Sequence, residues 1–447
     1  MKRTKYALVI AIAALLAATP LFAGGNKDAA AGDTASKEPV RLVMWGGVPP
    51  EAGPQKVCDD FNAEFAAKGI SVEYERFVND DTGNMKLEAN LLAGSDIDLY
   101  LTYTPDFIKK RAQGNMALDL TALLARDKLD LVKMFGPMAT GYYIDGKPYS
   151  FPTKIDQYGI VINKTMFDAA GIPVPKSWTL DEFRAVAKKL TKGSGPDKVY
   201  GMFFNSQQDL YYPLNYFSVQ NLGGDPFYAK GGKETAFTDP VNVKTIQTVA
   251  DMMLVDQSAP SHADSVTEKL SQEGMFLSGK SAMTIGPWII RSIKDTAKYP
   301  HDFVTAFAPY PTPVKTSSPL FQGGLGDHVM INPKSRNVEA AWTFLKWYAE
   351  KGMIPLATGG RVPSHVNFDK DKIADAFMLG GEKILDRATL KVVLIDAKAK
   401  YAVPSITTKL PEIRKVLGEE LEEIYLGRKT TMEGLTSAKT RADAFLK

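Results

Sequence analysis

Short apolar runs and amphipathic stretches alternate along this chain, beginning at Val40-Arg41-Leu42-Val43-Met44-Trp45 and closing at Gly46-Gly47. An apolar run bounded by glycine predicts a buried strand that opens into a loop. From about Pro54, the residues Val57, Cys58, Phe61 and Phe65 fall on one helical face, and Gly69 ends it. Ile70, Val72 and Tyr74 then alternate as a second strand, and Asp96-Ile97-Asp98-Leu99-Tyr100-Leu101 predicts a third. This order is the α/β pattern, in which ligands sit beyond the carboxyl ends of strands. Trp45, Gly46, Gly47 and Tyr103 stand at such ends and are candidate ligand contacts. For Trp45 the competing role is plain core packing, the usual fate of an apolar aromatic.

The same reading continues downstream. Residues 303–307 predict a strand, 309–319 a loop, and 337–350 an amphipathic helix with Ala341, Phe344, Leu345 and Tyr348 inward. Leu410, Ile413, Leu417 and Ile424 line another helix that Gly427 ends. Thr430 with Glu433 forms a capping box that starts the helix carrying Leu435 and Phe445. Thr179 with Glu182 forms another, and Trp178 with Phe183 fits the hydrophobic staple across it, which assigns Trp178 a structural role.

Two incompatible readings meet at 273–291. Gly274, Gly279, Lys280 and Ser281 fit the phosphate-cradling loop of nucleotide hydrolases, and Val392-Val393-Leu394-Ile395-Asp396 imitates the strand that ends in a magnesium-binding aspartate. That loop must follow a buried strand and open a helix. Here 265–272 reads as a polar helical face, and Gly286-Pro287 closes the apolar segment 282–285, so the order is helix then strand. The nucleotide reading is set aside on that ground.

Phe276, Gly279, Lys280, Ala282, Met283 and Trp288 instead resemble the F…G-K-A-A-M…G-x-W segment of extracellular solute-binding proteins of bacterial ABC sugar importers (family 1, maltose-binding-protein-like). The resemblance extends over nearly the whole chain. It includes Gly146-Lys147-Pro148-Tyr149 with Pro152, the strand 158–164, Ala170-Gly171-Ile172-Pro173, and the aromatic segment 203–213. It implies a two-lobed α/β periplasmic-binding-protein-like fold, each lobe a sheet flanked by helices, with a ligand cleft between the lobes at a hinge. The implied layout is an N-terminal lobe of 38–153 plus 325–375, a C-terminal lobe of 157–321 plus 388–447, and crossings at 153–157, 321–325 and 375–388.

The resemblance also implies site residues. Asp156 matches the family's hinge carboxylate, suited to accepting paired hydroxyls. Tyr211 and Tyr212 are joint candidates for the cleft aromatics, because the register there is open by a residue. Trp288 emerges at a strand end beside the cleft, Gly323 and Gly324 mark the second crossing, and Arg361 lies on the G…P loop at the cleft edge. Aromatic rings suit sugars because the C–H face of a pyranose packs flat on them. The span 407–415 contains no aromatic where the family's maltodextrin binders carry a tryptophan, which leaves the ligand open. The expected function is capture of a carbohydrate and its delivery to the transmembrane subunits of a cognate ABC permease, with no cofactor and no metal. The alternatives are a non-sugar solute (a peptide, a polyamine or glycerol phosphate) or a secreted glycosidase that pairs Asp156 with Asp96 or Asp98.

Composition narrows the field further. Lys2, Arg3 and Lys5 precede an apolar run over 7–18 and a small-residue end at Ala23, which predicts a cleaved signal peptide over 1–23 and a flexible leader over 24–37. The run is shorter than the roughly 20 residues a membrane span takes. The expected location is the periplasm. The single cysteine, Cys58, lies far from the cleavage region, so no lipid attachment and no disulfide framework are expected. Removing 1–23 lowers the net charge of +3 to zero, and a neutral chain argues against nucleic acid. A monomer is expected. His262, His301, His328 and His365 are dispersed and show no metal-ligand spacing.

Overall fold

The computed structural model describes residues 38–447 except 157–158, 206–209, 223–224, 323, 397–399 and 403–407. The expected signal peptide, the leader and Gly323 lie outside the described residues. The described chain forms two α/β lobes. The first is built on β1 (Val40–Gly46), β2 (Ile70–Arg76), β3 (Leu99–Thr102) and β4 (Phe151–Ile155). The chain then enters the second lobe with β5 (Ile160–Asn163), a hairpin of β6 (Tyr228–Ala229) and β7 (Glu234–Thr235), β8 (Met283–Ile285) and β9 (Thr305–Ala308). Strand β10 (Leu320–Gln322) leads back to β11 (Leu325–Ile331) and β12 (Val362–Pro363) in the first sheet, and β13 (Lys400–Ala402) pairs with β10.

The first sheet has the order β12-β4-β11-β3-β1-β2, with β1 parallel to both neighbours and β11 antiparallel to β3 and β4. The helix Pro54–Phe65 connects β1 to β2 as the apolar spacing requires, and Gly69 ends its extension in the left-handed conformation. Its inward face meets the helix Val338–Trp347: Phe61 lies edge-on to Phe344 at 5.0 Å and to Trp347 at 5.2 Å. The second sheet, β8-β5-β9, is antiparallel. A third cluster draws on both lobes. Ala357 and Val362 pack with Phe276, Ile289, Phe377 and Leu394, so the lobes share apolar contacts beside the crossings.

Several sequence expectations shift. The helical face expected over 265–272 is two short helices, His262–Thr267 and Gln272–Leu277. Lys269 breaks the run at φ +53°, and Ser271 restarts it by accepting from the Gly274 N–H. The strand of 303–307 is displaced to Thr305–Ala308, and the helix of 337–350 is Val338–Trp347, continued by a wide turn through Gly352. Residues Lys391–Ile395 form a helical turn rather than a strand, and Asp396 is held by Lys391 and Lys370. Gly274 sits inside a helix and Lys280 Nζ donates to the Pro196 carbonyl at 2.6 Å. Neither half of the nucleotide pattern has the backbone it needs.

Both capping boxes form, at Thr179/Glu182 and Thr430/Glu433. Trp178 is 5% exposed, meets Phe183 edge-on at 5.2 Å, and donates from Nε1 to the Pro309 carbonyl at 2.7 Å. Trp178→Ala should therefore cost about 3–5 kcal/mol of stability through the cavity it leaves. Urea midpoints read that loss, and ligand affinity measured on the folded fraction should stay within a few-fold.

Candidate functional site

The carboxyl end of the first sheet carries a cluster of charge. Asp327, 4% exposed, sits in β11 in the left-handed conformation at φ +48°. Arg361 Nε donates to its Oδ2 at 2.7 Å, and Lys154 Nζ lies 3.4 Å from its Oδ1. Lys154 also lies 3.0 Å from Asp156 Oδ1. Two cations and two carboxylates thus gather from β4, β11 and the loop before β12. Burial pushes the Asp327 carboxyl up, but Lys154 and Arg361 outweigh it and hold the pKa below the usual range. Burial likewise works against charge on Lys154, and Asp156 and Asp327 overcome it, so the ammonium is retained.

The predicted first-lobe residues surround this cluster. Gly46 ends β1, where a side chain would collide with Tyr74 and Leu101. Gly47 donates its N–H to the Tyr103 hydroxyl. Trp45 is half-buried against the first-lobe core, with the Lys86 ammonium 5.8 Å from its ring. Asp156 donates its N–H to the Gly324 carbonyl at 2.8 Å, so two predicted crossing residues meet. A small pocket, with room for about one water, is lined by Arg361, Asp327, Tyr74, Tyr348 and Cys58. Burial pushes the Cys58 thiol up to about 12, which makes it unreactive.

The second lobe contributes an apolar counterpart. Trp288, Tyr212 and Tyr216 rim a pocket of about 460 Å³, mouth included, with Phe204, Met253 and Tyr425 deeper in. Gly286, at φ +85°, ends β8, and a Cβ there would lie 2.0 Å from the Trp288 ring. Only glycine lets the indole fold over the strand end. Trp288 Nε1 donates to Gln272 Oε1 at 3.2 Å, which fixes the ring at the mouth. Tyr211 and Tyr212 part company. Tyr212 lines the pocket, whereas Tyr211 is buried, edge-on to Phe227 at 5.4 Å and 5.2 Å beneath the Arg414 guanidinium. Period-two or helical spacing alone could not choose between adjacent tyrosines.

The two halves approach each other through Arg291. It lies on the second-lobe helix Ile290–Lys294, within electrostatic reach of Arg361, Arg76 and Glu51 of the first lobe. Of the two suspected hydrolytic pairs, Asp98 with Asp156 does not assemble. Asp98 lies at the opposite end of the first sheet, accepting from the Val43 N–H at 2.9 Å and from Ser335 and Asn337. Asp327, Lys154, Tyr216 and Gln272 join the candidate site in the structure, and sequence reasoning missed them. The signal for Asp327 was present: an aspartate inside the apolar run Leu325–Ile331 is a buried charge that needs a partner.

Comparison with known proteins establishes the family. The family model for bacterial extracellular solute-binding proteins matches residues 48–353, and the chain belongs to that family. Among its relatives are a Brucella abortus (strain 2308) protein named as a binding protein, 26% identical over 89% of this chain and 91% of that one, and the sn-glycerol-3-phosphate-binding periplasmic protein of Pectobacterium atrosepticum, 24% identical over 70% of each chain. An ABC substrate-binding protein from Listeria monocytogenes, solved in complex with cycloalternan, superposes with a TM-score of 0.72 over 91% of this chain and 99% of its own, at 19% identity.

His328, beside Asp327, supplies a pH test of the first-lobe end. Its ring lies 4.4 Å from that of Tyr142, and Nε2 is 3.3 Å from the Leu325 carbonyl, which can only accept. Nε2 therefore carries the proton, and Nδ1 accepts from Ser150 Oγ at 2.9 Å. Burial lowers the pKa from 6.5 to about 4. With a folded pKa below the unfolded one, the stabilisation is present above pH 6.5 and is lost as pH falls toward 4. Between pH 7 and 4.5 the wild type should lose roughly 2 kcal/mol more than His328→Gln, read from urea midpoints.

Proposed function

We propose that this protein captures a carbohydrate in the periplasm and delivers it, as a monomer, to the membrane subunits of an ABC permease by closure of its two lobes. The observation that carries the reading is the meeting of Trp288, Tyr212 and Tyr216 at the mouth of one apolar pocket. Rings at a mouth suit the C–H face of a sugar, while the Lys154–Asp327–Arg361–Asp156 cluster of the other lobe suits its hydroxyls. Cycloalternan, held by the Listeria protein, is a cyclic oligosaccharide, which supports the same class. The lobe limits and crossings expected above, a cleaved signal peptide over 1–23, and release of the solute unchanged belong to this proposal. The separation of Asp98 from Asp156 speaks against hydrolysis by that pair.

A phosphorylated polyol is the second reading. The Pectobacterium relative is named for sn-glycerol 3-phosphate, and the side chains of Arg76 and Arg291 have no ion pair among the described residues. A thermal-shift screen against neutral oligosaccharides and sn-glycerol 3-phosphate separates the two, because a ligand that binds the native state raises the melting temperature.

Trp288→Ala should weaken binding of the screened ligand by roughly 2–4 kcal/mol, as loss of an interface anchor does, with the ligand-free melting temperature nearly unchanged. A large drop in that temperature with intact affinity would return Trp288 to the core. Asp156→Asn should cost about 1.5–3 kcal/mol of affinity by calorimetry. Unchanged affinity with intact circular dichroism would make Asp156 a partner of Lys154 alone.

A further inference from the structure

The second lobe carries a separate groove that shares no lining residue with the pocket beneath Trp288. It runs between the segment 176–182 and the loop 309–319. With its mouth included it measures about 990 Å³, of which about 450 Å³ can hold solvent. That is the size of a small-molecule site, roughly 300–1,000 Å³. Its base is held by backbone and side-chain bonds. Leu180 N–H donates to the Thr312 carbonyl at 2.9 Å, Thr312 N–H to the Trp178 carbonyl at 3.0 Å, and Trp178 Nε1 to the Pro309 carbonyl at 2.7 Å. On the far side Gln220 Nε2 donates to the Pro311 carbonyl at 2.7 Å, and Asn221 exchanges hydrogen bonds of 3.0 and 2.9 Å with Val314. The walls are therefore set apart before any ligand arrives. Tyr310 belongs to the lining and stacks on Tyr216, which rims the other pocket, so this pair of rings is the partition between the two.

Charge selects what can enter. Lys176 stands on one wall and Lys315 on the other; both are exposed, and neither has an ion pair or a hydrogen bond among the described residues. The one acid of the lining, Glu182, is engaged in the capping box, where its carboxylate accepts from the Thr179 N–H at 2.7 Å. Two unmatched ammonium groups at one opening attract an anion, repel a cation, and gain nothing from a neutral ligand. A phosphate monoester, with about −1.5 to −2 charge near neutral pH, answers both. The flexible lysine stems let both ammonium groups converge on it. Inorganic phosphate alone would leave the surfaces of Pro309 and Pro319 and the hydroxyls of Ser177 and Ser317 unused. We propose that this groove is a second solute site, which takes a sugar phosphate. The phosphate lies between Lys176 and Lys315, the ring covers the prolines, and its hydroxyls meet the two serines.

The test is calorimetry in phosphate-free buffer with glucose 6-phosphate, glucose and inorganic phosphate as probes. Glucose 6-phosphate should bind the wild type at least about tenfold more tightly than inorganic phosphate does. Lys176→Ala and Lys315→Ala should each weaken it by roughly fivefold, and the double variant should abolish it. The same variants should hold any binding of glucose within about twofold and keep the wild-type melting temperature, since both side chains are exposed. Trp288→Ala, which impairs the other pocket, should hold glucose 6-phosphate within about twofold. Lys109→Ala, an exposed lysine of the first lobe, should change nothing. No binding of glucose 6-phosphate, or equally tight binding of inorganic phosphate, overturns the proposal. So does an equal loss in Lys109→Ala, which would mean diffuse attraction by surface charge. A loss in Trp288→Ala with none in the groove variants would place the phosphate ester beside Trp288 and also overturns it. The oligosaccharide screen reads the cleft separately, so this proposal and the carbohydrate reading fail independently.

Discussion

Charge neutrality at the carboxyl end of the first sheet is the constraint around which the crossings are arranged. Lys154 stands on β4, the strand that leaves the first lobe; Asp327 stands on β11, the strand that returns; Arg361 comes from the loop before β12. A buried charge without its partner is costly, so no one of these three segments can withdraw without leaving another exposed to that cost. Asp156 joins through Lys154 and ties its own N–H to Gly324. The same contacts that hold the crossings together therefore present polar groups where the two lobes meet. The left-handed backbone of Asp327 is part of this arrangement: strained residues of this kind persist where their surroundings over-determine them.

The second lobe solves a different problem, which is to hold a large aromatic at a surface without burying it. Gly286 ends β8 with a backbone that leaves room for the indole, and Gln272 pins the indole nitrogen. Gln272 is itself anchored to the Ile285 carbonyl, so the ring is fixed by the strand whose end it covers. Tyr216 stacks on Tyr310 at 5.0 Å, with ring planes 20° apart, which steadies the opposite rim. A pocket edged by immobilised rings has less side-chain entropy to lose when a ligand arrives. One lobe thus offers fixed charges and the other fixed rings, a division suited to a solute with both hydroxyls and an apolar face.

How the lobes communicate follows from the third core. Ala357 and Val362 pack against Phe276, Ile289 and Phe377 beside the crossings, so relative movement of the lobes must either slide or preserve that contact. The lobe closure proposed above would have to accommodate this shared contact. Arg291 lies in reach of Arg361 and Arg76, and a closing cleft must neutralise that like charge or keep it apart.

Local pattern carried much of this in the sequence. The apolar spacing of Val57, Cys58, Phe61 and Phe65 defines its helix, and the capping boxes at Thr179 and Thr430 place two more, because these signals depend on neighbours only three or four residues away. Glycine and proline after Ile285 likewise put Trp288 at a strand end. Tertiary structure alone decided the rest. It joined Lys154 to Asp327 and Arg361, residues separated by up to about two hundred positions, since charge pairing depends on distance in space and not along the chain. It turned Val392–Asp396 from an apparent strand into a helical turn, because a short apolar run takes its conformation from whatever core receives it. And it sent Tyr211 inward and Tyr212 to the pocket, a choice between adjacent like residues that only the packing around Phe227 and Arg414 could make.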